Sequence, residues 1–167
     1  MTTLRPMDAS ATTQADLNFP AVSQTLPVRL LRAREAVMFR LRPILRARNI
    51  TEQQWRVLRT IRDLKETEIT ALATRVFLLP PSLSRIVKDL EARGLIRRRT
   101  SENDQRRAIV SLTPAGEAVI SDAQPELSGA VAEMRVLFGA ERMEQMYRLL
   151  SELEAVLGPG ELTEDDR

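Results

Sequence analysis

Apolar side chains recur at helical spacing along most of the chain beyond residue 27. Between residues 28 and 48, positions such as Leu30, Val37 and Leu41 share one face, which predicts a first helix. Thr51 followed three residues later by Gln54 has the spacing of a capping box and begins a second helix. The chain therefore starts, after a polar segment, with two helices.

Two shorter helices are expected next, at 68–76 and 81–93. The prolines at 80 and 81 suit the first turn of a helix, and Gly94 suits the position just after its end. Two short helices joined by a tight connection predict a helix-turn-helix whose second member is the recognition helix.

The periodicity then changes from helical to extended. The stretches 95–100 and 107–112 are compatible with β-strands, and the polar residues between them form a turn, so a two-stranded hairpin is expected. A helix-turn-helix followed by such a hairpin is a winged helix.

Two helices complete the pattern. Thr113 and Pro114 begin a long helix that Pro125 should kink or interrupt, and a last helix starts at about residue 141. The expected fold class is mainly α with a small β-hairpin wing.

The composition excludes several kinds of chemistry. The 167 residues include no Cys and no His, which rules out disulfides, thiol nucleophiles, Cys or His metal sites and imidazole catalysis. No apolar run approaches the length of a membrane helix, and the first 27 residues lack the pattern of a signal peptide. We therefore expect a cytoplasmic protein that is not an enzyme and has no cofactor and no membrane partner.

The charge is segregated along the chain. Residues 28–111 hold 20 Lys and Arg against 9 Asp and Glu, whereas residues 112–167 hold 4 against 12. Because a bias toward arginine codons would place Arg in both parts alike, the basic middle indicates a polyanionic partner such as double-stranded DNA.

The recognition helix offers candidate DNA contacts on its polar face. Small hydroxyl side chains and a guanidinium near the start of a helix suit entry into the major groove, where Arg reads a guanine edge and Ser bonds phosphate. The alternative is an ordinary amphipathic helix with a solvated face. The candidates are Ser82, Ser84, Arg85 and Lys88.

The hairpin is also strongly basic. Three arginines occupy 97–99, and the tip carries Asp104, Arg106 and Arg107. Like charges at this density destabilise a hairpin unless an anion screens them, and Arg at a wing tip can enter the narrow minor groove. A solvated basic hairpin is the alternative, and Asp104 could hold a guanidinium in place instead of contacting DNA.

At these positions the sequence resembles the MarR family of bacterial transcription regulators. The run Gly94-Leu95-Ile96-Arg97, the Asp104-Gln105-Arg106 triplet and the segment Leu112-Thr113-Pro114-Ala115-Gly116 follow the family's wing signature in register. The segments 50–58 and 78–86 are similar to the branch that represses operons for homoprotocatechuate (hydroxyphenylacetate) breakdown. The resemblance covers about residues 26–157.

The resemblance implies a homodimer that occupies a palindromic operator and is released by a small aromatic acid. It also implies a winged helix-turn-helix with N- and C-terminal dimerisation helices. The expected parts are a flexible arm at 1–27, a helical dimerisation region at 28–50 and 113–157, the DNA-binding domain at 51–112 and an acidic tail at 158–167. Without Cys and His, the peroxide-sensing and zinc-binding mechanisms of some relatives are excluded.

The candidate effector-binding residues are Arg34, Met38 and Trp55. Arg34 lies within the apolar face of the first helix, where a buried guanidinium requires a carboxylate from the protein or from a ligand. A structural ion pair at the dimer interface, to Glu35 of the other chain or to an acid of the fifth helix, is an equally good interpretation. Trp55 is more often a core residue than a ligand wall.

Two other functions compete with a ligand-responsive repressor. One is a DNA-binding protein that responds to no ligand, and the other is a helical adaptor whose basic half binds an acidic protein.

Overall fold

The protein is described by a computed structural model over residues 22–100 and 107–158. The predicted acidic tail beyond 158 and most of the predicted arm lie outside these residues. The chain divides after Met38 into two units, which are described separately. The first contains a single 3-10 turn at Val22–Gln24 and the start of a helix that begins at Leu26, two residues before the predicted position.

Six helices and three strands are present among the described residues, and each predicted helix has a counterpart. Pro43 and Pro125 lie inside the two longest helices, which continue through them. Of the two outcomes expected at Pro125, a kink or an interruption, the interruption does not occur. In chain order the elements are α1 Leu26–Arg46, α2 Glu52–Leu64, β1 Glu66–Glu68, α3 Ile69–Arg75, α4 Pro80–Ala92, β2 Ile96–Thr100, β3 Ala108–Leu112, α5 Pro114–Phe138 and α6 Ala140–Leu157.

The capping box at the start of α2 is confirmed. The backbone N–H of Gln54 donates to Thr51 Oγ1 at 3.2 Å, and the backbone N–H of Thr51 donates to Gln54 Oε1 at 2.8 Å. The two side chains thereby satisfy backbone donors that an isolated helix end leaves unpaired.

The sheet has three strands in the order β1-β3-β2, so the prediction of a two-stranded hairpin was incomplete. Both pairings are antiparallel, with Thr67 opposite Val110 and Arg98 also opposite Val110. The missed strand is only three residues long and reads Glu-Thr-Glu, without apolar alternation. It forms because β3, far along the chain, offers a free edge.

A single large core lies inside the winged helix. Its buried residues come from α2, α3, α4, the sheet and the first turns of α5, and a smaller cluster of Leu45, Ala123 and Leu127 lies between the end of α1 and α5. Within the described residues, no helix is both long and apolar enough to cross a membrane. The large core comprises Ile50, Val57, Leu58, Ile61, Leu72, Val76, Leu83, Val87, Leu90, Leu95, Ile96, Val110 and Ile120.

Hydrogen bonds connect the turn that follows α4 to the start of α5. The hydroxyl of Thr113 donates to the carbonyl of Gly94 at 2.6 Å and accepts from the backbone N–H of Gly116 at 3.1 Å. A Cβ on Gly116 would collide with the carbonyl oxygen of Leu95. Glycine therefore stands where a capping box would place a glutamate, because the recognition helix ends against this turn.

Candidate nucleic-acid interface

Helix α4 divides its side chains cleanly between core and solvent. Its apolar stripe is buried, and Pro80 and Pro81 occupy its first turn, where their missing N–H groups are not needed. Burying the stripe turns the polar face outward. All four predicted DNA contacts on this helix, Ser82, Ser84, Arg85 and Lys88, are exposed.

Two cations of this face, Arg85 and Lys88, have no partner among the residues that the structure describes. Arg85 and Asp89 are four residues apart, a spacing that allows an ion pair. However, Oδ2 of Asp89 accepts from Gln54 Nε2 at 2.7 Å and lies 3.5 Å from Nη1 of Arg93. Within the described residues, Arg85 and Lys88 have neither an ion pair nor a hydrogen-bond partner, so their charges remain available to an anion.

The outward face of the wing carries charges of both signs. Arg99 Nη2 lies 3.2 Å from Glu66 Oε2, and Arg107 Nη1 donates to Glu68 Oε1 at 3.0 Å. The guanidinium of Arg97 donates to the Ser111 hydroxyl at 2.9 Å. The two glutamates belong to β1, so the screening of the basic hairpin comes in part from the strand that the sequence analysis missed.

The predicted wing tip is only partly described. Asp104 and Arg106 lie outside the described residues, and their role in DNA binding stays a prediction. Arg107 is described and exposed, and its contact with Glu68 ties it to the sheet.

Arg34 forms an ion pair within its own helix. Its Nη1 lies 2.7 Å from Oε1 of Glu35, the adjacent residue of the same chain, and the side chain is 45% exposed. The burial from which the effector prediction was argued is therefore absent within one chain. Met38, four residues further on, is half-buried.

Trp55 is half-buried and contacts both apolar clusters of the second unit. Above its ring, at 5.8 Å from the centroid, lies the guanidinium of Arg59. Nη1 of Arg59 donates to Gln124 Oε1 of α5 at 2.7 Å, but its Nε is buried and has no hydrogen-bond partner among the described residues. Arg59 is not among the residues predicted from the sequence, although its four-residue spacing from Trp55 places the two side chains on the same face of a helix.

Arg48 is the second cation that the sequence analysis missed. Its guanidinium donates to the carboxylates of Asp122 at 2.6 Å and Glu126 at 2.7 Å, and to the carbonyls of Ile44 and Asp122. The hydrogen bond that Arg48 donates to Glu126 is the largest cause that raises the pKa of Arg48 above its ordinary value, so the side chain stays charged. It ties the end of α1 to α5, the same two helices that enclose the smaller apolar cluster.

A helix-turn-helix with an exposed polar recognition face, followed by a basic antiparallel wing, defines a winged-helix DNA-binding protein. The model of the MarR family matches residues 50–108. The homoprotocatechuate degradative operon repressor of Escherichia coli is 39% identical over 132 residues, which cover 79% of this chain and 89% of that protein. The chain belongs to the MarR family, whose members are transcriptional regulators and not enzymes, as the sequence predicts.

Two solved structures extend the comparison to ligands. NadR in complex with 4-hydroxyphenylacetate is 35% identical and superposes with a TM-score of 0.70, covering 80% of this chain and 95% of NadR. The transcriptional repressor CouR, bound to a 23-mer DNA duplex, is 25% identical with a TM-score of 0.73, covering 78% and 93% of the two chains. These similarities confirm the winged-helix fold.

Proposed function

We propose that the protein is a ligand-responsive repressor of an aromatic-acid catabolic operon. It binds a palindromic operator as a homodimer and is released by a small aromatic acid. The observation that carries the DNA-binding part is the pair of cations on the exposed face of α4, Arg85 and Lys88, for which the described part of the chain offers no ion pair or hydrogen bond. The effector part is supported by the relatives, one named for homoprotocatechuate degradation and one bound to 4-hydroxyphenylacetate.

A homodimer is supported by the apolar residues that one chain leaves in solvent. Helix α6 has no fully buried side chain among its described residues, and Leu149, Val156 and Leu157 on it are exposed. A second copy of the chain would cover such a surface and present two recognition helices about one helical turn of DNA apart.

For the effector, we propose a carboxylate on Arg34 with the aromatic ring against Met38. In the second unit, we propose Trp55 as a residue that contacts an aromatic ring. A planar guanidinium accepts a carboxylate through two parallel hydrogen bonds and keeps its charge in apolar surroundings. Because the chain contains no His, a ring hydroxyl would be met by Ser, Thr, Gln, Arg or backbone groups.

Arg59 is a second candidate for the carboxylate, favoured by its own geometry. A buried Nε without an acceptor is costly, and a ligand carboxylate would satisfy it. The guanidinium already lies over Trp55, the residue proposed to contact the ring, and the apolar cluster around Leu45, Ala123 and Leu127 adjoins that side chain.

The experiment begins with operator selection from a random duplex pool, followed by titration of the complex with 4-hydroxyphenylacetate and other phenolic acids. We expect the wild type to prefer a two-fold symmetric site over a scrambled duplex and to lose at least tenfold in affinity at saturating ligand, about 1.4 kcal/mol of coupling. Binding that no acid weakens would favour the ligand-independent protein, and no preference over scrambled DNA would favour the adaptor.

Variants of the two arginines then locate the carboxylate. If Arg34 binds the carboxylate, Arg34→Ala should keep operator binding but lose release by the acid. If Arg59 binds it, Arg59→Ala should have that effect instead. Arg32→Ala, on the same helix as Arg34, serves as the control. If Arg34→Ala instead dissociates or unfolds the protein, Arg34 is a structural ion-pair residue. A raised melting temperature with ligand measures the binding itself, because a ligand of the native state stabilises it by mass action.

A further inference from the structure

Two arginines are bonded to one short stretch of α5, and their partners differ in charge. Arg48 donates to the carboxylates of Asp122 and Glu126 at 2.6 and 2.7 Å. Arg59 donates instead to a neutral amide, with its Nη1 2.7 Å from Oε1 of Gln124. No carboxylate of the described residues forms an ion pair with Arg59. The same helix therefore neutralises one guanidinium and leaves the other with its positive charge.

Hydrogen-bond chemistry fixes the orientation of the Gln124 side chain. A guanidinium only donates hydrogen bonds, so the amide oxygen must face Arg59 and the NH2 group must point away from it. On that other side, Nε2 of Gln124 donates to the hydroxyl of Ser128 at 3.1 Å. The two residues are four positions apart and therefore neighbours on the surface of α5. Ser128 thus holds the amide with its oxygen toward the cation.

The bond to Gln124 leaves one edge of the Arg59 guanidinium for another acceptor. Nη1 is bonded, whereas Nε is buried and has no acceptor in the part of the chain that the structure describes. A carboxylate can bind side-on to Nε and Nη2 through two parallel hydrogen bonds. Gln124 and a ligand carboxylate can therefore bond the same guanidinium at once. A carboxylate at position 124 would instead pair with the guanidinium and cancel its charge.

We infer that Gln124 is a specificity-determining residue, which positions Arg59 and preserves its charge for a small anionic ligand. This role rests on the effector binding proposed above and assigns the ligand carboxylate to Arg59. Both side chains are half-buried, where charges are screened less than at the surface. A charge-assisted hydrogen bond to a carboxylate is stronger than a bond to a neutral amide. Gln124 thereby favours aromatic acids over their uncharged analogues without touching the ligand.

The test measures the affinity of the full-length protein for 4-hydroxyphenylacetate and for 4-hydroxyphenylacetamide, which has the same ring and no charge. Gln124→Glu keeps the shape of the side chain but gives Arg59 a carboxylate partner. It should weaken binding of the acid by at least about tenfold, the worth of a hydrogen bond to a charged group, and leave binding of the amide unchanged. Gln124→Ala frees Arg59 without cancelling its charge, so it should weaken binding of the acid less than Gln124→Glu does.

Gln53→Glu serves as the control, because it adds the same charge at an exposed position of α2 and should leave both affinities unchanged. An acid affinity that Gln124→Glu does not lower, or equal losses for Gln124→Glu and Gln124→Ala, would overturn the inference. If Arg59→Ala keeps the affinity for the acid, the carboxylate lies elsewhere, and this inference fails while release by an acid stands. A wild type that binds no acid would refute the effector part of the proposed function as well.

Discussion

The winged-helix region and the two C-terminal helices bury their apolar residues to very different extents. In the winged helix, residues such as Leu58, Leu72 and Leu83 are wholly inaccessible to solvent within one chain. In α5 and α6, by contrast, many large apolar side chains stay exposed: Val131, Val136, Leu137, Phe138, Tyr147, Leu149, Val156 and Leu157. One chain completes the first core and leaves apolar surface exposed in the second region, which the proposed homodimer would cover.

The largest effect is expected from a cavity in the completed core. Leu58→Ala removes a fully buried side chain of α2 and should lower the free energy of unfolding by about 2 to 5 kcal/mol. Chemical denaturation measures the change. Because the damage lies within one chain, it should be the same at every protein concentration at which the dimer is intact.

The second region should respond to the same substitution in a different way. Leu149→Ala should weaken self-association, by about 1.5 to 3 kcal/mol for each side chain that the dimer fully buries, and analytical ultracentrifugation would measure the loss. The melting temperature should then depend on protein concentration. If dilution separates neither the wild type nor the variant, the exposed face of α6 is not part of the dimer contact.

Features that depend on local signals could be predicted from the sequence, whereas contacts between residues far apart in the chain could not. The capping box of Thr51 and Gln54 and the stripe of α4 were predictable because their signals are local. The acidic partners of the wing were not, since Arg99 and Glu66 are 33 residues apart. Arg48 and Glu126 are separated by 78 residues, and only the folded chain brings them together.

For Arg34, the sequence predicted burial that the single chain does not provide. Its position on an apolar face suggested burial, yet its guanidinium turns to the adjacent Glu35 and remains 45% exposed in the single chain. Helical periodicity predicts which side chains share an apolar face, but it does not predict whether other residues of the same chain cover that face.

A smaller effect is expected from substitutions on the DNA-binding surface. They should change operator affinity without changing the free energy of unfolding or the self-association. Arg85→Ala should cost about 1 to 3 kcal/mol of operator affinity and relax the preference at one base pair, since no partner within the described residues holds this side chain. Repeating the operator selection with the variant measures this. A uniform loss of affinity on all sequences would make Arg85 a phosphate contact. Loss of the fold or of the dimer would show that Arg85 also has a structural role.

The smallest effect is expected at the wing tip. Arg106→Ala should weaken binding to many sequences alike and flatten the salt dependence by about one unit of log–log slope, without changing the unfolding or association measured above. Asp104→Ala should reproduce part of the loss, because the sequence predicts that this carboxylate orients Arg106. An unchanged slope and affinity would show that the tip does not touch DNA.

The chain contains one tryptophan and one tyrosine, and they lie in different regions. Trp55 is half-buried beside the guanidinium of Arg59, whereas Tyr147 is 50% exposed on α6. Each region therefore carries its own intrinsic chromophore. Emission excited selectively at tryptophan reports on the junction of α1, α2 and α5, so unlabelled protein can show whether that junction responds to an added acid. The tyrosine signal reports on the surface of α6 and is read without a phenolic ligand, for example on dilution of the protein.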